Sequence, residues 1–284
     1  MPRTKTKKPS KAKSPAKAEE SKAFQLRKAE KEDPQVHQLG RGIICDTDTR
    51  GYETPRALSP TRIVVDASEG FVPLWAKNST LRWRFREQSM TFFANPTSAK
   101  AEIRKLLGEA ILDWGDAAPV RFSEKTDAWD FEIVVRKADD CDVNGCVLAS
   151  AFFPDAGRHK LEIYPQMFSQ SREEQVQTLI HEIGHVFGLR HFFANVSETE
   201  WASEIFGKHS KFTIMNYGVL SRLTPDDRKD LRRLYKLAWT GELTEINGTP
   251  IRFVKPFHMS GIAPDSLVAV SQINPAFQPQ QPAG

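Results

Sequence analysis

The sequence contains few cysteines and lacks both a long hydrophobic run and a hydrophobic leader. Three cysteines in 284 residues are too few for a disulfide framework. No window approaches the run of about 18 apolar residues that a membrane-spanning helix needs. The basic residues between Met1 and Lys13 have no apolar stretch behind them, unlike a secretory signal. We therefore expect an intracellular protein, in the cytoplasm or the nucleus, with no membrane partner.

The net positive charge of the chain is confined to its N-terminal segment. Residues 1–33 hold 11 of the 40 Lys and Arg residues and 5 of the 36 Asp and Glu residues, which leaves 29 basic and 31 acidic residues elsewhere. The remainder therefore gives no electrostatic support for nucleic-acid binding. Residues 1–38 have too few apolar side chains for a core and are predicted to be a disordered basic tail. A nucleic acid or an import receptor would bind only through residues 1–33, and a solvated tail without a specific partner is the alternative.

Hydrophobic periodicity predicts one folded domain between two less regular segments. Residues 39–80 are predicted to be a leader segment that packs on the domain, with a strand or extended clamp at Arg62–Asp66. The domain is assigned to residues 81–240, and residues 241–284 to a partly disordered C-terminal extension. Apolar positions three and four residues apart predict an amphipathic helix over Ile103–Trp114. Strands are predicted near 81–85, 120–122, 131–135, 148–154 and 160–164.

Two further helices are predicted from their capping residues. Ser171 and Glu174 form a capping box at the start of the first. Thr224 caps the second, Pro225 takes its first turn, and two acidic residues favour its positive end.

Three histidines and a glutamate lie close together in the segment His181-Glu182-Ile183-Gly184-His185-Val186-Phe187-Gly188-Leu189-Arg190-His191. His181 and His185, four residues apart, lie on one face of the helix. Glu182 can lean over the same site without being a ligand. Gly188 can adopt positive φ, which lets the chain leave the helix and bring His191 back to the other histidines. Three neutral imidazoles leave one tetrahedral position open for water, the arrangement of a catalytic zinc.

Two other functions remain compatible with the sequence. The first is a non-catalytic zinc-containing protein that binds peptides. The intact Glu182 and the open position disfavour it, because structural zinc usually has four protein ligands. The second is an adaptor that acts through its basic N-terminal tail. Cleavage of a denatured protein with and without a chelator tests the first, and deletion of residues 1–33 tests the second.

The full pattern H-E-x-x-H-x-x-G-x-x-H resembles that of the metzincin zinc endopeptidases. A second match, Thr213-Ile214-Met215-Asn216-Tyr217-Gly218, resembles the methionine turn that these enzymes place beneath the metal. The resemblance implies that Met215 packs under the histidines as a soft thioether and is not a ligand. It also implies that Tyr217, as in astacin-like and serralysin-like members, approaches the metal or the oxyanion.

This resemblance also implies a fold and a reaction. The fold is α+β, a metzincin-type zincin with a twisted, mostly parallel sheet, an antiparallel edge strand, an active-site helix, a methionine turn and a C-terminal helix. The reaction is hydrolysis of peptide bonds in extended polypeptides by metal-activated water. One catalytic Zn²⁺ is bound by His181, His185 and His191, with Glu182 as general base and Tyr217 as the other candidate catalytic residue. The substrate sequence and the oligomeric state are not specified.

The stretch Leu148–Pro154 resembles the edge strand of matrixins, a metzincin subgroup in which this strand lines the cleft. An edge strand offers unpaired backbone groups to which an extended peptide can add, and this favours a polypeptide substrate. Matrixins carry structural-zinc histidines where Ser150 stands and near Glu162, so we expect no second zinc of that kind. Phe152 and Phe153 are expected to pack or to shape the cleft.

The three cysteines allow two hypotheses. Matrixins use a pro-segment cysteine to block the zinc, but the residues around Cys45 lack their Pro-Arg-Cys-Gly sequence. An aspartate switch from Asp46 or Asp48 is no better supported, so latency stays open. Cys141 and Cys146 are close enough to pair, but in a reducing compartment we expect free thiols.

One acidic turn is a candidate calcium-binding site. Asp140, Asp142 and Asn144 resemble the opening of a calcium loop. Ala151 stands where an EF-hand has its bidentate glutamate, so an EF-hand is excluded. A smaller Ca²⁺ site and a plain acidic turn remain as alternatives.

Overall fold

Four α-helices and fourteen short strands lie in the part of the chain that the structure describes. This computed structural model describes residues 70–141, 145–191, 213–215 and 222–259 in full, and the backbone of residues 43–44, 63–66 and 203–206. The helices are α1 Glu87–Met90, α2 Pro96–Trp114, α3 Arg172–Val186 and α4 Pro225–Thr240. The strands are β1 Ile43–Ile44, β2 Ile63–Asp66, β3 Val72–Trp75, β4 Thr80–Phe85, β5 Arg121–Glu124, β6 Phe131–Val135, β7 Asp140–Cys141, β8 Cys146–Val147, β9 Ala149–Ser150, β10 His159–Ile163, β11 Leu189–Arg190, β12 Ser203–Phe206, β13 Glu245–Ile246 and β14 Thr249–Val254. Short 3-10 turns lie at Gly115–Ala117, Pro165–Ser169 and Phe257–Met259.

A five-stranded mixed sheet, in the order β5-β4-β6-β10-β9, is the frame of the domain. β5, β4, β6 and β10 run parallel, and β9 is antiparallel to β10 at the edge. This arrangement confirms the predicted mostly parallel sheet with an antiparallel edge strand. Ser150 in β9 lies opposite Glu162 in β10, and Arg136 donates to the Glu162 carboxylate at 3.4 Å. The two positions compared with zinc-binding histidines are therefore cross-strand neighbours.

Helix α2 forms as its apolar pattern predicts and packs along α3. The Asn95 side chain accepts from Ser98 N at 3.0 Å and caps the helix, while Pro96 takes its first position. Its inner face is buried in one hydrophobic core shared with the sheet and α3, and consists of Ala99, Ile103, Leu106, Leu107, Ala110 and Trp114. Each large apolar side chain buried in this way stabilises the fold by about 1.5–3 kcal/mol. Among the described residues, no helix combines the length and the apolar character that crossing a bilayer requires.

Three smaller sheets attach the outer segments to the domain. Their strand orders are β1-β8-β7, β11-β2-β12 and β13-β14-β3. The predicted leader strand forms as β2, and the C-terminal extension supplies β13 and β14, with β14 parallel to β3. Beyond β14, His258 Nδ1 lies 2.8 Å from the buried carboxylate of Asp130. The extension thus packs back onto the domain.

A disulfide joins Cys141 to Cys146. The two residues are directly opposite each other in the antiparallel pair β7–β8, which brings their side chains to the same side of the hairpin. Our expectation of free thiols is therefore wrong for this pair. That expectation was based on a reducing compartment, whereas the pairing follows from strand register, which composition does not reveal.

Candidate active site

Helix α3 carries most of the histidine motif and begins as predicted. Ser171 Oγ accepts from Glu174 N at 3.3 Å, and the Glu174 carboxylate accepts from Ser171 N at 2.9 Å, which completes the capping box. Towards its C-terminus, buried apolar residues dock the helix: Leu179, Ile180, Ile183, Val186 and the following Phe187. His181 and His185 therefore project from a rigid helix.

The helix ends at a glycine that turns the chain sharply. Gly188 has φ +91° and its N–H donates to His185 O at 2.8 Å. A side chain at this position would be strained in this backbone conformation, and a Cβ would lie 3.4 Å from Pro73 O. The turn directs β11 and then His191 back toward α3, as the sequence predicted.

The three predicted ligands meet in one buried cluster. His181 Nε2 lies 3.1 Å from His191 Nε2 and 3.1 Å from His185 Nε2. His185 and His191 are fully buried and His181 is 8% exposed. Within the described residues, their ligand atoms all lie within 4.8 Å of one another.

Backbone carbonyls determine which ring nitrogen of His181 and of His185 faces the cluster. His181 Nδ1 lies 2.7 Å from Ile214 O, and His185 Nδ1 lies 2.7 Å from Leu189 O. A carbonyl can only accept, so each Nδ1 must carry the proton and each neutral ring turns an Nε2 lone pair toward the cluster. Outer hydrogen bonds of this kind orient histidines that bind metals.

The cluster fits a zinc ion. The Nε2 lone pairs of His181 and His185, which are 3.1 Å apart, repel each other unless a cation lies between them. Tetrahedral Zn²⁺ with Zn–N bonds of about 2.0–2.1 Å places its ligand nitrogens about 3.3 Å apart. The separations of the Nε2 atoms agree with that value, and three neutral imidazoles are a common zinc donor set.

Glu182 follows the first histidine on α3 and is 2% exposed. Its neighbours His181 and Ile183 are also buried, so the Glu182 side chain belongs to the interior part of the helix that carries the first two histidines. A carboxylate in that position can exchange a proton with a water at the metal site, which is the role predicted for it.

Met215 packs beneath the helix, as the methionine-turn resemblance implies. It is 3% exposed, and a Cβ built on Gly184 would lie only 2.5 Å from its Sδ. The glycine between the two helical histidines therefore leaves room for the thioether. The preceding residue, Ile214, supplies the carbonyl to which His181 donates.

Replacing Gly184 with alanine is expected to destabilise the protein by about 1–3 kcal/mol, because the new methyl group overlaps the buried Met215 side chain. Denaturant unfolding measures the change. Gly108→Ala on α2 is the matched control, since a Cβ there has nothing within 4 Å. Alanine at this helical position should stabilise by about 0.5–1 kcal/mol. Equal effects of the two substitutions would show that the close approach of Met215 to Gly184 does not limit stability.

The methionine turn is tied to helix α4 by a buried hydrogen bond. Thr213 Oγ1 donates to Asp227 at 2.6 Å, and Met215 N donates to Thr213 Oγ1 at 3.3 Å. The other oxygen of Asp227 accepts from Thr224 N at 2.8 Å, so one carboxylate both caps α4 and holds the turn. The cap was predicted from sequence, but the contact of Asp227 with Thr213 was not.

Three aromatic side chains support the active-site helix. Trp114 Nε1 donates to Ile180 O at 3.0 Å. At the helix end, Trp75 Nε1 donates to Val186 O at 2.7 Å and the Tyr235 hydroxyl donates to Phe187 O at 3.1 Å. The bonds to Val186 O and Phe187 O satisfy carbonyls at the helix end, which have no donor in the helix, whereas Trp114 adds a second donor to a carbonyl inside it. Burial raises the pKa of Tyr235, so its hydroxyl keeps the proton that it donates.

Sequence analysis missed the role of these aromatic residues. Tyr235 and Trp114 have the helical spacing of core positions. That spacing predicts their burial but not their hydrogen-bond partners. The available signal was chemical, because a buried Trp or Tyr must find an acceptor for its polar hydrogen.

The predicted edge strand leads into the site. β9 lies at the edge of the main sheet and packs against α3. Downstream of it, the Phe153 ring meets the His185 ring edge-on at 5.5 Å, and the guanidinium of buried Arg190 lies 5.8 Å from the Phe153 ring centre. Phe152 stacks on His159 at 4.4 Å. Phe153 therefore borders the histidine cluster, whereas Phe152 packs away from it.

Several predicted residues lie outside the described part of the chain. They are Tyr217, Cys45, Asp46, Asp48, Asp142 and Asn144. Asp140, at the start of the same acidic turn, is exposed. The role of Tyr217, the calcium site and the latency switch stay predictions.

Known proteins resemble this chain in sequence. Residues 74–236, more than half of the chain, match the family model for the matrixin peptidases. Metalloendoproteinase 4-MMP of Arabidopsis thaliana is 31% identical over 136 residues, which are 42% of this chain and 38% of that protein. Stromelysin-3 of Homo sapiens is 28% identical over 212 residues, which are 66% of this chain and 40% of that protein. The chain thus spans about two fifths of the length of these relatives. Among solved structures, myroilysin aligns with a TM-score of 0.39 and 14% identity, covering 61% of this chain and 98% of that one.

Proposed function

The chain belongs to the matrixin family of peptidases, and we propose that it is a zinc-dependent endopeptidase that hydrolyses extended polypeptides. The observation that carries this proposal is the convergence of three buried imidazoles, two of which have Nδ1 held by a backbone carbonyl and Nε2 directed at the cluster, in a segment that also carries the buried Glu182. A purely structural site would be expected to provide a fourth protein ligand.

His181, His185 and His191 would hold the zinc, and the carbonyls of Ile214 and Leu189 keep two of these rings in the required tautomer. When bound, zinc lowers the pKa of a water toward about 7 and polarises a carbonyl. Glu182 accepts a proton from the attacking water and then passes it to the departing amine. Because both transfers use one carboxylate, its loss should slow turnover strongly while the histidines still hold the zinc.

In this proposal Tyr217 donates a hydrogen bond to the oxygen of the scissile carbonyl as negative charge develops there. It follows Met215 by two residues, and Ile214 and Met215 lie directly under the cluster. A good donor to an oxyanion contributes about 3 kcal/mol. A Tyr217→Phe variant that cleaves peptides at the unchanged rate would remove this residue from the reaction.

A polypeptide substrate would lie along the edge of the main sheet. β9 is the edge strand, and the chain continues from it to Phe153 at the histidine cluster. Main-chain hydrogen bonds to such an edge bind any extended peptide, while side-chain pockets select among sequences. The Arabidopsis relative supports this class of substrate, since it is named a metalloendoproteinase.

Metal removal is the direct test. Zinc-loaded full-length protein is expected to cleave a denatured protein substrate, to lose all cleavage in excess chelator, and to recover it when Zn²⁺ is added back. Mass spectrometry of the products identifies the cleaved bonds. A protein that binds zinc and retains peptides but cuts none would favour the non-catalytic zinc protein instead.

A further inference from the structure

We propose that the leader strand β2 is a positioning element of the metal site, and that it places two of the three zinc ligands. This inference rests on the proposed zinc function but does not come from the family. β2 spans Ile63–Asp66, and the family match begins only at residue 74. A leader strand that positions metal ligands differs in function from a pro-segment that blocks the metal.

The pairing of β2 with β11 connects it to both ligands. The two strands are antiparallel, with Val65 opposite Leu189 and Val64 opposite Arg190. Leu189 O accepts the Nδ1 proton of His185 at 2.7 Å, and Arg190 is followed directly by His191. The two residues paired with β2 therefore affect both ligands: Leu189 orients His185 through its carbonyl, and Arg190 sets the position of His191.

β11 is too short to hold its position alone. It has two residues and leaves α3 through the turn at Gly188. On its other side β2 pairs with β12, in a register that sets Asp66 opposite Ser203 and Ile63 opposite Phe206. β2 is therefore the central strand of the sheet β11-β2-β12. An isolated pair of short strands is marginal in water, so a third strand is needed to stabilise the arrangement.

The first experiment removes ladder hydrogen bonds from β2 in the full-length protein. Val64→Pro and Val65→Pro each delete one backbone donor from a central strand, which uses its donors on both sides. Zinc affinity is measured by competition with a chromogenic chelator. We expect affinity to fall by about 10–100-fold, the usual effect of losing an outer partner of a metal ligand. Val65→Ala keeps the donor, and Ile44→Pro disrupts β1 instead, so both controls should bind zinc as the wild type does.

Hydrogen exchange on the unmodified protein provides a second measurement if the proline variants do not fold. Linkage is reciprocal, so a strand that favours zinc binding must itself be stabilised by zinc. The amides of Val64 and Val65 should exchange more slowly with zinc than without it, although neither residue is a ligand. Unchanged exchange at these amides, or full zinc affinity in both proline variants, would overturn the inference. Zinc binding without peptide cleavage would instead contradict the proposed function and leave this inference standing.

Discussion

Glu182→Ala is expected to lower the rate of peptide hydrolysis by about 10²–10⁴-fold while the protein keeps its zinc, since that is the range that a positioned general acid–base contributes. The side chain is 2% exposed and directly follows His181 on the helix. It is not among the converging nitrogen ligands, so metal affinity should change little. The rate is measured under single-turnover conditions with zinc content determined on the same sample.

Two further variants separate proton transfer from side effects of the substitution. Glu182→Gln keeps the shape and an acceptor oxygen but cannot take up the proton, so it should be about as slow as the alanine variant. Glu173→Ala on the same helix removes a carboxylate that is 68% exposed and should cleave normally. Undiminished hydrolysis by Glu182→Gln would eliminate Glu182 as the general base.

His185→Ala is expected to abolish both zinc retention and cleavage. The imidazole is fully buried, and its Nε2 lies 3.1 Å from that of His181 while its Nδ1 donates to Leu189 O. Losing an outer partner costs about 10–100-fold in metal affinity, and loss of a ligand itself should cost more. Metal content after dialysis against a chelator measures the effect.

His159→Ala is the control for that variant. His159 stacks on Phe152 and is not part of the ligand cluster, so zinc content should be unchanged. Melting of the metal-free proteins distinguishes loss of the ligand from loss of the fold, because removing the buried His185 ring also leaves a cavity. If the His185→Ala protein is folded and still retains zinc, the three-histidine site is wrong.

Much of the fold was predictable because its signals are local. The capping boxes of α3 and α4, the apolar stripe of α2 and the alternation in β4 each depend on residues a few positions apart. The parallel order of the main sheet followed from the family resemblance, which the strand pairing confirms. The disulfide between Cys141 and Cys146 was not predicted, because it depends on the register of two strands of two residues each.

The sequence by itself was sufficient to propose the three ligands and the general base, and to predict that the three histidines meet. Residues four apart on a helix share a face, and a glycine one turn later allows the third imidazole to return, so this part of the site follows from local geometry. Only the tertiary structure decided which ring nitrogen of His181 and of His185 faces the cluster. That choice depends on the carbonyls of Ile214 and Leu189, on the strand that holds Leu189, and on the bond from Thr213 to Asp227 that holds the turn. Ile214 is 33 residues from His181, and the strand that pairs with Leu189 precedes the whole domain, so no periodicity in the sequence shows that these segments meet.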